Sequence, residues 1–208
     1  MSQNEYFKNI SNWEKIELLT YAQDLNNYIW AFEKKIWAHV TLDGKKNLFS
    51  QVGIGARNAI FVIRNLNKIS LNHAIKYKNK YYFITLIENI DDYYKKITAA
   101  EMLVVDCKHT SIEYILNEYN RPVENKKDTI SFQCCITEKY IQYTETPVSA
   151  NTETMLVAIT PKVIDLNVGD AIEVLDGSTV KNGFYIVQKV HKLDEYKNEY
   201  EVLLKDDV

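Results

Sequence analysis

The stretch Tyr77-Lys78-Asn79-Lys80-Tyr81-Tyr82-Phe83-Ile84-Thr85-Leu86-Ile87 decides the fold class, because it joins a turn to a strand. Asparagine tolerates a positive φ angle, so Asn79 between two lysines favours a tight hairpin turn. The run that follows is rich in aromatic and β-branched residues, which are typical of buried strands. This stretch therefore predicts an antiparallel hairpin rather than a helix.

The same two-residue period recurs along most of the chain. Residues 196–204 alternate uncharged side chains with Lys197, Glu199 and Glu201. Residues 37–41 alternate in a similar way, and residues 59–63 form a short apolar run. Alternation of this kind indicates strands with one buried face. The sequence therefore predicts a mainly all-β protein made of two small antiparallel β-barrels or sandwiches in tandem.

One segment departs from this period and predicts a short linking helix over 110–120. Its apolar residues recur at helical spacing, and they are Ile112, Ile115, Leu116 and Tyr119. Thr110 and Glu113 match a capping box, and Pro122 follows the end. The polar stretch 121–128 resembles a linker. We therefore expect one domain at 1–105, a helix and linker at 106–128, and a second domain at 129–208.

The two halves resemble each other, which predicts an internal duplication. Residues 58–72 align without gaps with residues 153–167, and four of the fifteen positions are identical. Equivalent apolar residues in two related barrels must point to the same face of their strands. A shift of the alignment by one residue would turn every side chain to the opposite face. We therefore expect Val62 and Val157 to face equivalent cores. Four further residues are expected to point inward, namely Ile69, Leu71, Ile164 and Leu166.

Composition and charge exclude several classes of protein. The 208 residues are 46% hydrophobic, which excludes a disordered chain, and no apolar run is long enough for a membrane helix. The first five residues are polar, so a secretory signal is not expected. Residues 1–105 carry 14 basic and 10 acidic side chains, whereas residues 106–208 carry 11 and 18. Neither half is basic enough to predict tight DNA binding.

Residues that could carry catalysis or bind a metal form no recognisable motif. The four histidines are scattered, and Cys107 with His109 supplies only two ligands. The glycines at 53 and 55 resemble a dinucleotide motif, but its third glycine is missing and a strand follows. Three cysteines, two of them adjacent, indicate a reduced protein rather than a disulfide scaffold. We therefore expect no catalytic residue, no cofactor and no metal, and predict that the protein is not an enzyme.

Two segments are candidates for binding a partner. The long loop Asp43–Arg57 combines glycines with basic and apolar residues, and it is either a surface loop or an interaction arm. Its candidate contact residues are Lys45, Lys46, Leu48, Phe49, Val52, Gly53, Ile54, Gly55 and Arg57. The three tryptophans, Trp13, Trp30 and Trp37, all lie in the first 40 residues. They either pack in the core or form an aromatic protein–protein interface.

The first half also carries an ordered set of strand patterns across roughly residues 14–102. These are Trp37-Ala38-His39-Val40, Phe61-Val62-Ile63-Arg64, the run from Ile69 to Tyr77, Tyr81-Tyr82-Phe83-Ile84 and Ile97-Thr98-Ala99-Ala100. This arrangement resembles the head–tail joining proteins of tailed bacteriophages, also called head-closure, stopper or adaptor proteins. Members of that family usually consist of one barrel, so the second half is additional.

The resemblance implies a structural virion protein of the phage neck, made in the host cytoplasm. Copies would form a ring, six- or twelve-fold, between the portal or adaptor protein and the tail proteins. The ring would close the DNA channel and dock the tail, and loop Asp43–Arg57 would contact the lumen or the portal. Packaged DNA would lie near it without specific binding, and no membrane is implied. The alternatives are a ring protein of the tail tube, tail completion or baseplate, or a ligand-binding or enzymatic β-barrel.

Overall fold

A computed structural model describes residues 13–46, 57–65, 68–142, 152–176, 180–192 and 194–205. All regular structure in these ranges consists of β-strands, so the predicted all-β class is confirmed. The described residues include no helix that could cross a membrane. The chain divides into two compact units, of which unit 1 contains residues 1–21 and 30–102, and unit 2 contains residues 22–29 and 103–208.

Unit 1 contains a closed ring of six strands. They are β1 (Trp13–Asp24), β2 (Asn27–Lys46), β3 (Arg57–Arg64), β4 (His73–Tyr77), β5 (Lys80–Asn89) and β6 (Tyr94–Met102). Their order is β1-β4-β5-β6-β3-β2, and β1 also pairs with β2. The pairings along this order are antiparallel. Because the last strand returns to the first, the sheet closes into a small barrel.

Aromatic side chains fill the interior of this barrel. The ring of Phe61 contacts the rings of Tyr77 and Tyr82, with centroids 6.2 and 5.5 Å apart. Alternate residues of each strand join the same core cluster, for example Ile16 with Leu18 and Phe61 with Ile63. The hairpin between β4 and β5 has positive φ angles at Lys78 and Asn79, with Tyr77 paired to Lys80. The hairpin predicted from the sequence is therefore confirmed.

Unit 2 contains a second ring with the same strand order. Its strands are β7 (Val104–Leu116), β8 (Pro122–Gln142), β9 (Thr152–Pro161), β10 (Ala171–Asp176), β11 (Gly183–His191) and β12 (Lys197–Leu204). The order is β7-β10-β11-β12-β9-β8, and β7 also pairs with β8. Each strand thus has the neighbours of the strand six places earlier in the chain. The identical strand order of the two units supports the predicted duplication. The duplication itself stays a prediction, because it concerns the origin of the chain.

Residues 22–29 complete unit 2 as an additional short segment. Asn27 and Tyr28 pair in parallel with Ser131 and Phe132 of β8. The interior of unit 2 contains Phe132, Tyr185 and Tyr200, each with less than 2% of its surface exposed. The three cysteines are free and buried, and the sulfurs of Cys107 and Cys134 lie 3.4 Å apart.

The linking helix predicted at 110–120 is wrong, and so is the linker at 121–128. Residues 104–116 form β7 and residues 122–142 form β8, and the two strands pair along their length. The side chain of Asn117 accepts the backbone N–H groups of Tyr119 and Arg121 at 2.9 and 3.0 Å. Asn120 has a φ of 54°, which asparagine tolerates. These two asparagines specify a turn, so pairing with β8 overrides the helical spacing.

Val62 and Val157 are both buried, as expected, with 3% of the surface of each residue exposed. Val62 lies between Phe61 and Ile63, which belong to the core cluster, so its side chain is on the opposite face of β3. Val157 pairs with Thr137 and Glu201, whereas the next residue pairs with the buried Tyr200. Both valines therefore keep the same phase, each buried on the strand face opposite to that of Phe61 in unit 1 or Tyr200 in unit 2. The four residues expected inward, Ile69, Leu71, Ile164 and Leu166, are buried or packed against a core.

Two phenylalanines of unit 1 provide a matched test of the barrel core. Phe61 is completely buried, whereas Phe32 is 57% exposed. Phe61→Ala is expected to lower the free energy of unfolding by about 3–5 kcal/mol, because it leaves a cavity. Phe32→Ala is expected to change it by less than about 0.5 kcal/mol. Urea denaturation followed by circular dichroism measures both, and equal losses would contradict the described core.

Candidate functional site

Trp37 is an exposed aromatic side chain on the outer face of β2. Its neighbours Ile36 and Ala38 belong to the core cluster, so the alternation of the strand turns Trp37 outward. The side chain is 56% exposed, and the ammonium group of Lys15 lies 5.1 Å from the ring centroid. This cation–π contact with Lys15 restricts the movement of the Trp37 ring on one side.

A hollow of about 630 Å³ lies beside Trp37. It is lined by Trp13, Lys35, Ile36, Trp37 and Arg64. Arg64 ends β3 and pairs with Tyr94, the first residue of β6. The ring of Tyr94 is 6.0 Å from that of Trp13 at the start of β1. Residues from four strands therefore meet at this place.

A second hollow of about 620 Å³ shares Arg64 with the first. Its other lining residues are Asn65, Asp92, Tyr93 and Tyr94. The turn that carries Tyr93 is well defined, because the Asp91 carboxylate accepts the backbone N–H groups of Tyr93 and Tyr94, each at 2.8 Å. The backbone N–H of Asn65 donates to the carbonyl of Tyr93 at 2.7 Å. The turn therefore presents Tyr93, which is 74% exposed, from a fixed base.

We call Trp13, Trp37, Arg64, Tyr93 and Tyr94 the aromatic surface. Tryptophan, tyrosine and arginine are the residue types most enriched among the energetic hot spots of protein interfaces. The charges around it are mixed, since Lys35 pairs with Glu17 at 3.5 Å and Asp92 lies beside the second hollow. A surface of this composition is suited to binding another protein, with the aromatic rings supplying most of the apolar contact.

A cationic cluster surrounds a third hollow of about 140 Å³ in unit 1. Its charged lining residues are Arg57, Lys78, Lys80 and Glu101. Lys80 is paired with Glu101 at 2.6 Å. The hydroxyl of Tyr77 donates to the Glu14 carboxylate at 2.7 Å, and the ammonium of Lys78 lies 3.2 Å from the same oxygen. The hydrogen bond from Tyr77, followed by that from Lys78, lowers the pKa of Glu14.

The two ends of the loop predicted at Asp43–Arg57 belong to strands in the structure. Residues 43–46, including Lys45 and Lys46, belong to β2, and Arg57 begins β3. Lys46 and Arg57 are backbone partners, so they form the base of the connection. The remaining candidate residues lie outside the described residues, namely Leu48, Phe49, Val52, Gly53, Ile54 and Gly55. Arg57 is the candidate that the structure places at the cationic cluster.

The three tryptophans separate into two groups. Trp13 and Trp37 belong to the aromatic surface, whereas Trp30 is only 8% exposed. The ring of Trp30 packs edge-on against Tyr21 and Phe83, with centroids 4.8 and 6.2 Å away. Trp30 therefore has the packing role that the sequence left open, and the candidate interface retains the other two.

Sequence reasoning did not assign Arg64, Tyr93 and Tyr94 to the surface. Arg64 follows three buried residues, and a charged residue at the end of such a run is a signal for exposure. The Asp91-Asp92-Tyr93 sequence is a signal for a turn. The pairing of β3 with β6 that brings them together joins residues about thirty positions apart, and no local pattern encodes it.

The Cys107 and His109 pair has other contacts in the structure. The Nδ1 atom of His109 lies 3.0 Å from the carbonyl oxygen of Ala171, and Cys107 lies against Cys134. Within the described ranges, no three His, Cys, Asp or Glu side chains gather in a group that could hold a metal ion.

Comparison with known proteins adds no relative. No protein-family model, no curated protein and no solved structure matches this chain.

The Glu14 contacts predict a specific dependence of stability on pH. The folded state lowers the pKa of Glu14 from its ordinary value of 4.5. The Glu14 carboxylate therefore stabilises the fold at pH values above 4.5. The stabilisation by Glu14 is lost as the pH falls through the pKa that Glu14 has in the folded state. Glu14→Gln is therefore expected to be less stable than the natural chain at pH 7, with the difference shrinking towards pH 3.

Urea unfolding at a series of pH values measures this difference. Glu138→Gln, at an exposed position on β8, is the matched control and is expected to show no such convergence. If Glu14→Gln lowers the free energy of unfolding by the same amount at pH 7 and pH 3, the role given to the Glu14 carboxylate is contradicted.

Proposed function

We propose that this chain is a non-enzymatic structural protein of the neck of a tailed bacteriophage. In this proposal, copies of the chain form a ring between the portal and the tail. The ring closes the DNA channel and provides the surface on which the tail docks. The observation that carries the proposal is the aromatic surface of unit 1, with Trp37 and Tyr93 exposed on a closed barrel.

The aromatic surface supports a role in assembly because of its residue types and its rigidity. Truncating a hot-spot tryptophan or tyrosine at an interface commonly costs about 2 kcal/mol or more. Trp37 is held by its strand and by Lys15, and the Asp91 turn fixes the backbone of Tyr93. Little backbone conformational entropy is therefore lost when a neighbour covers these rings.

The interior of the barrel argues for an interface rather than a lumenal ligand site. Phe61, Tyr77 and Tyr82 pack against one another inside unit 1. Their rings occupy the space that a small ligand would need in a binding barrel. This packing favours the structural proposal over a ligand-binding or enzymatic β-barrel that uses its lumen.

The resemblance to head–tail joining proteins supports the same proposal. Its Trp37–Val40 and Phe61–Arg64 patterns lie on β2 and β3, which are paired, with Ala38 opposite Ile63. In this proposal packaged DNA lies near Arg57 without specific binding, since the neighbouring Lys78 and Lys80 are paired with Glu14 and Glu101. In this proposal the acidic second half extends the ring towards the tail or collar, or lies on the outside of the ring.

A ring protein of the tail tube, tail completion or baseplate is the closest alternative, since it would use the same kind of surface. Position in the particle separates the two. A reconstruction of virions carrying a labelled form of this chain is expected to show a ring between the portal and the tail. Label at the baseplate would favour the alternative, and a single copy away from the symmetry axis would overturn the proposal.

Substitution of the aromatic surface tests its part in the assembly. Trp37→Ala combined with Tyr93→Ala is expected to reduce incorporation of the chain into particles more than about tenfold, as a loss above 1.4 kcal/mol requires. Leu86→Ala, an exposed apolar residue of β5, is the control and is expected to be incorporated normally. Quantitative immunoblotting of purified particles measures the incorporation. Normal incorporation of the double variant would remove the aromatic surface from the proposal.

A further inference from the structure

The hairpin of β7 and β8 continues beyond the barrel of unit 2. β7 pairs with β10 only between Asp106 and His109, and β8 pairs with β9 only from Cys135 onward. Residues 110–116 and 122–130 pair with each other and have no further strand partner among the described residues. We call residues 110–130 the ribbon. It is a two-stranded sheet with an open backbone edge on each side.

The ribbon has a defined structure up to its tip. The hydroxyls of Thr110 and Thr129 lie 2.9 Å apart across the strands. The Asn117 side chain and the positive φ angle of Asn120 fix the turn. A segment specified in this way keeps its edges extended, which is the conformation that an added strand requires.

The tip of the ribbon exposes apolar side chains. Ile115 lies opposite Val123, and both are exposed, as are Leu116 and Tyr119, the last at 81%. An isolated two-stranded ribbon is only marginally stable in water, and open edges readily accept another strand. The ribbon therefore combines exposed apolar residues with unpaired backbone groups, and the backbone groups become paired if a further strand joins each edge.

The outer edge of β8 already accepts a strand of this chain. Within unit 2, Asn27 and Tyr28 add in parallel to Ser131 and Phe132, directly after the ribbon. The two ribbon edges, at 110–116 and 122–130, are similar in length and lie on opposite sides. A second copy of the chain therefore supplies a strand edge of similar length for each ribbon edge.

We infer that the ribbons of neighbouring copies pair edge to edge, with the β7 edge of one copy against the β8 edge of the next. This pairing uses both edges of every ribbon, whereas pairing of β7 with β7 leaves each β8 edge open. Repetition of a head-to-tail contact generates a closed ring when the rotation permits it. The inference rests on the part of the proposed function in which the chain assembles with itself.

Cross-linking of two single-cysteine variants tests the pairing of edges. Ser111→Cys marks the β7 edge, Thr129→Cys marks the β8 edge, and the natural cysteines are buried. With a flexible bis-maleimide, cross-linked dimers are expected at least about fivefold more abundantly in the mixture than in either variant alone, as a head-to-tail contact requires. Equal dimer formation by Ser111→Cys alone would overturn the head-to-tail pairing, and no dimer at any concentration would overturn the inference.

A shortened ribbon provides the second test, with the full chain as reference. Replacing residues 112–127 by Asn-Gly keeps all pairings of β7 with β10 and of β8 with β9. Thermal unfolding shows whether the barrels of this variant remain folded. Its self-dissociation constant in sedimentation equilibrium is expected to rise more than about tenfold relative to the full chain, a loss of about 1.4 kcal/mol. An unchanged constant, or a full chain that remains monomeric, would overturn the inference.

These outcomes separate the inference from the proposed function. A neck ring that still forms with the shortened ribbon would overturn the inference and leave the proposed function standing. Ribbon-dependent assembly in solution without a ring in the neck would overturn the proposed function and leave the inference standing.

Discussion

Closure of each six-stranded ring is the constraint on which the rest of the structure depends. A strand at an open edge leaves N–H and C=O groups unpaired, so each barrel must return its last strand to its first. In unit 1 this is the pairing of β1 with β2, and in unit 2 that of β7 with β8. Closure also separates two faces of every strand. The inner face is filled by rings such as Phe61 and Tyr82, and on the outer face side chains such as Trp37 are exposed.

Association of closed barrels must therefore use side chains or segments that leave the ring. The chain offers both. Trp37 and Tyr93 are side chains held on the outside of unit 1, and the 110–130 ribbon is a segment that continues past the barrel of unit 2. The first provides apolar contact area and the second provides backbone hydrogen bonds. A ring of copies between two other assemblies would need contacts of more than one kind, which is how we connect these features to a neck protein.

The sequence predicted the elements in which local preference and tertiary pairing agree. The turn at Lys78 and Asn79 is encoded by Asn79, which tolerates positive φ, and the adjoining strands by alternation. The ribbon was mistaken for a helix, because apolar residues at helical spacing also fit a strand once Asn117 turns the chain back. The aromatic surface depends on the β3–β6 register, which local sequence does not encode.

The shared strand order is the central claim, and two non-local pairings define it most directly. In unit 1, Leu18 of β1 is opposite Ile75 of β4, and in unit 2, Cys107 of β7 is opposite Val174 of β10. Nuclear Overhauser effects between the backbone protons of each pair, measured on the isotopically labelled chain, test both at once. The account predicts cross-strand signals for both pairs. A signal in one unit together with a different partner strand in the other would contradict the shared order.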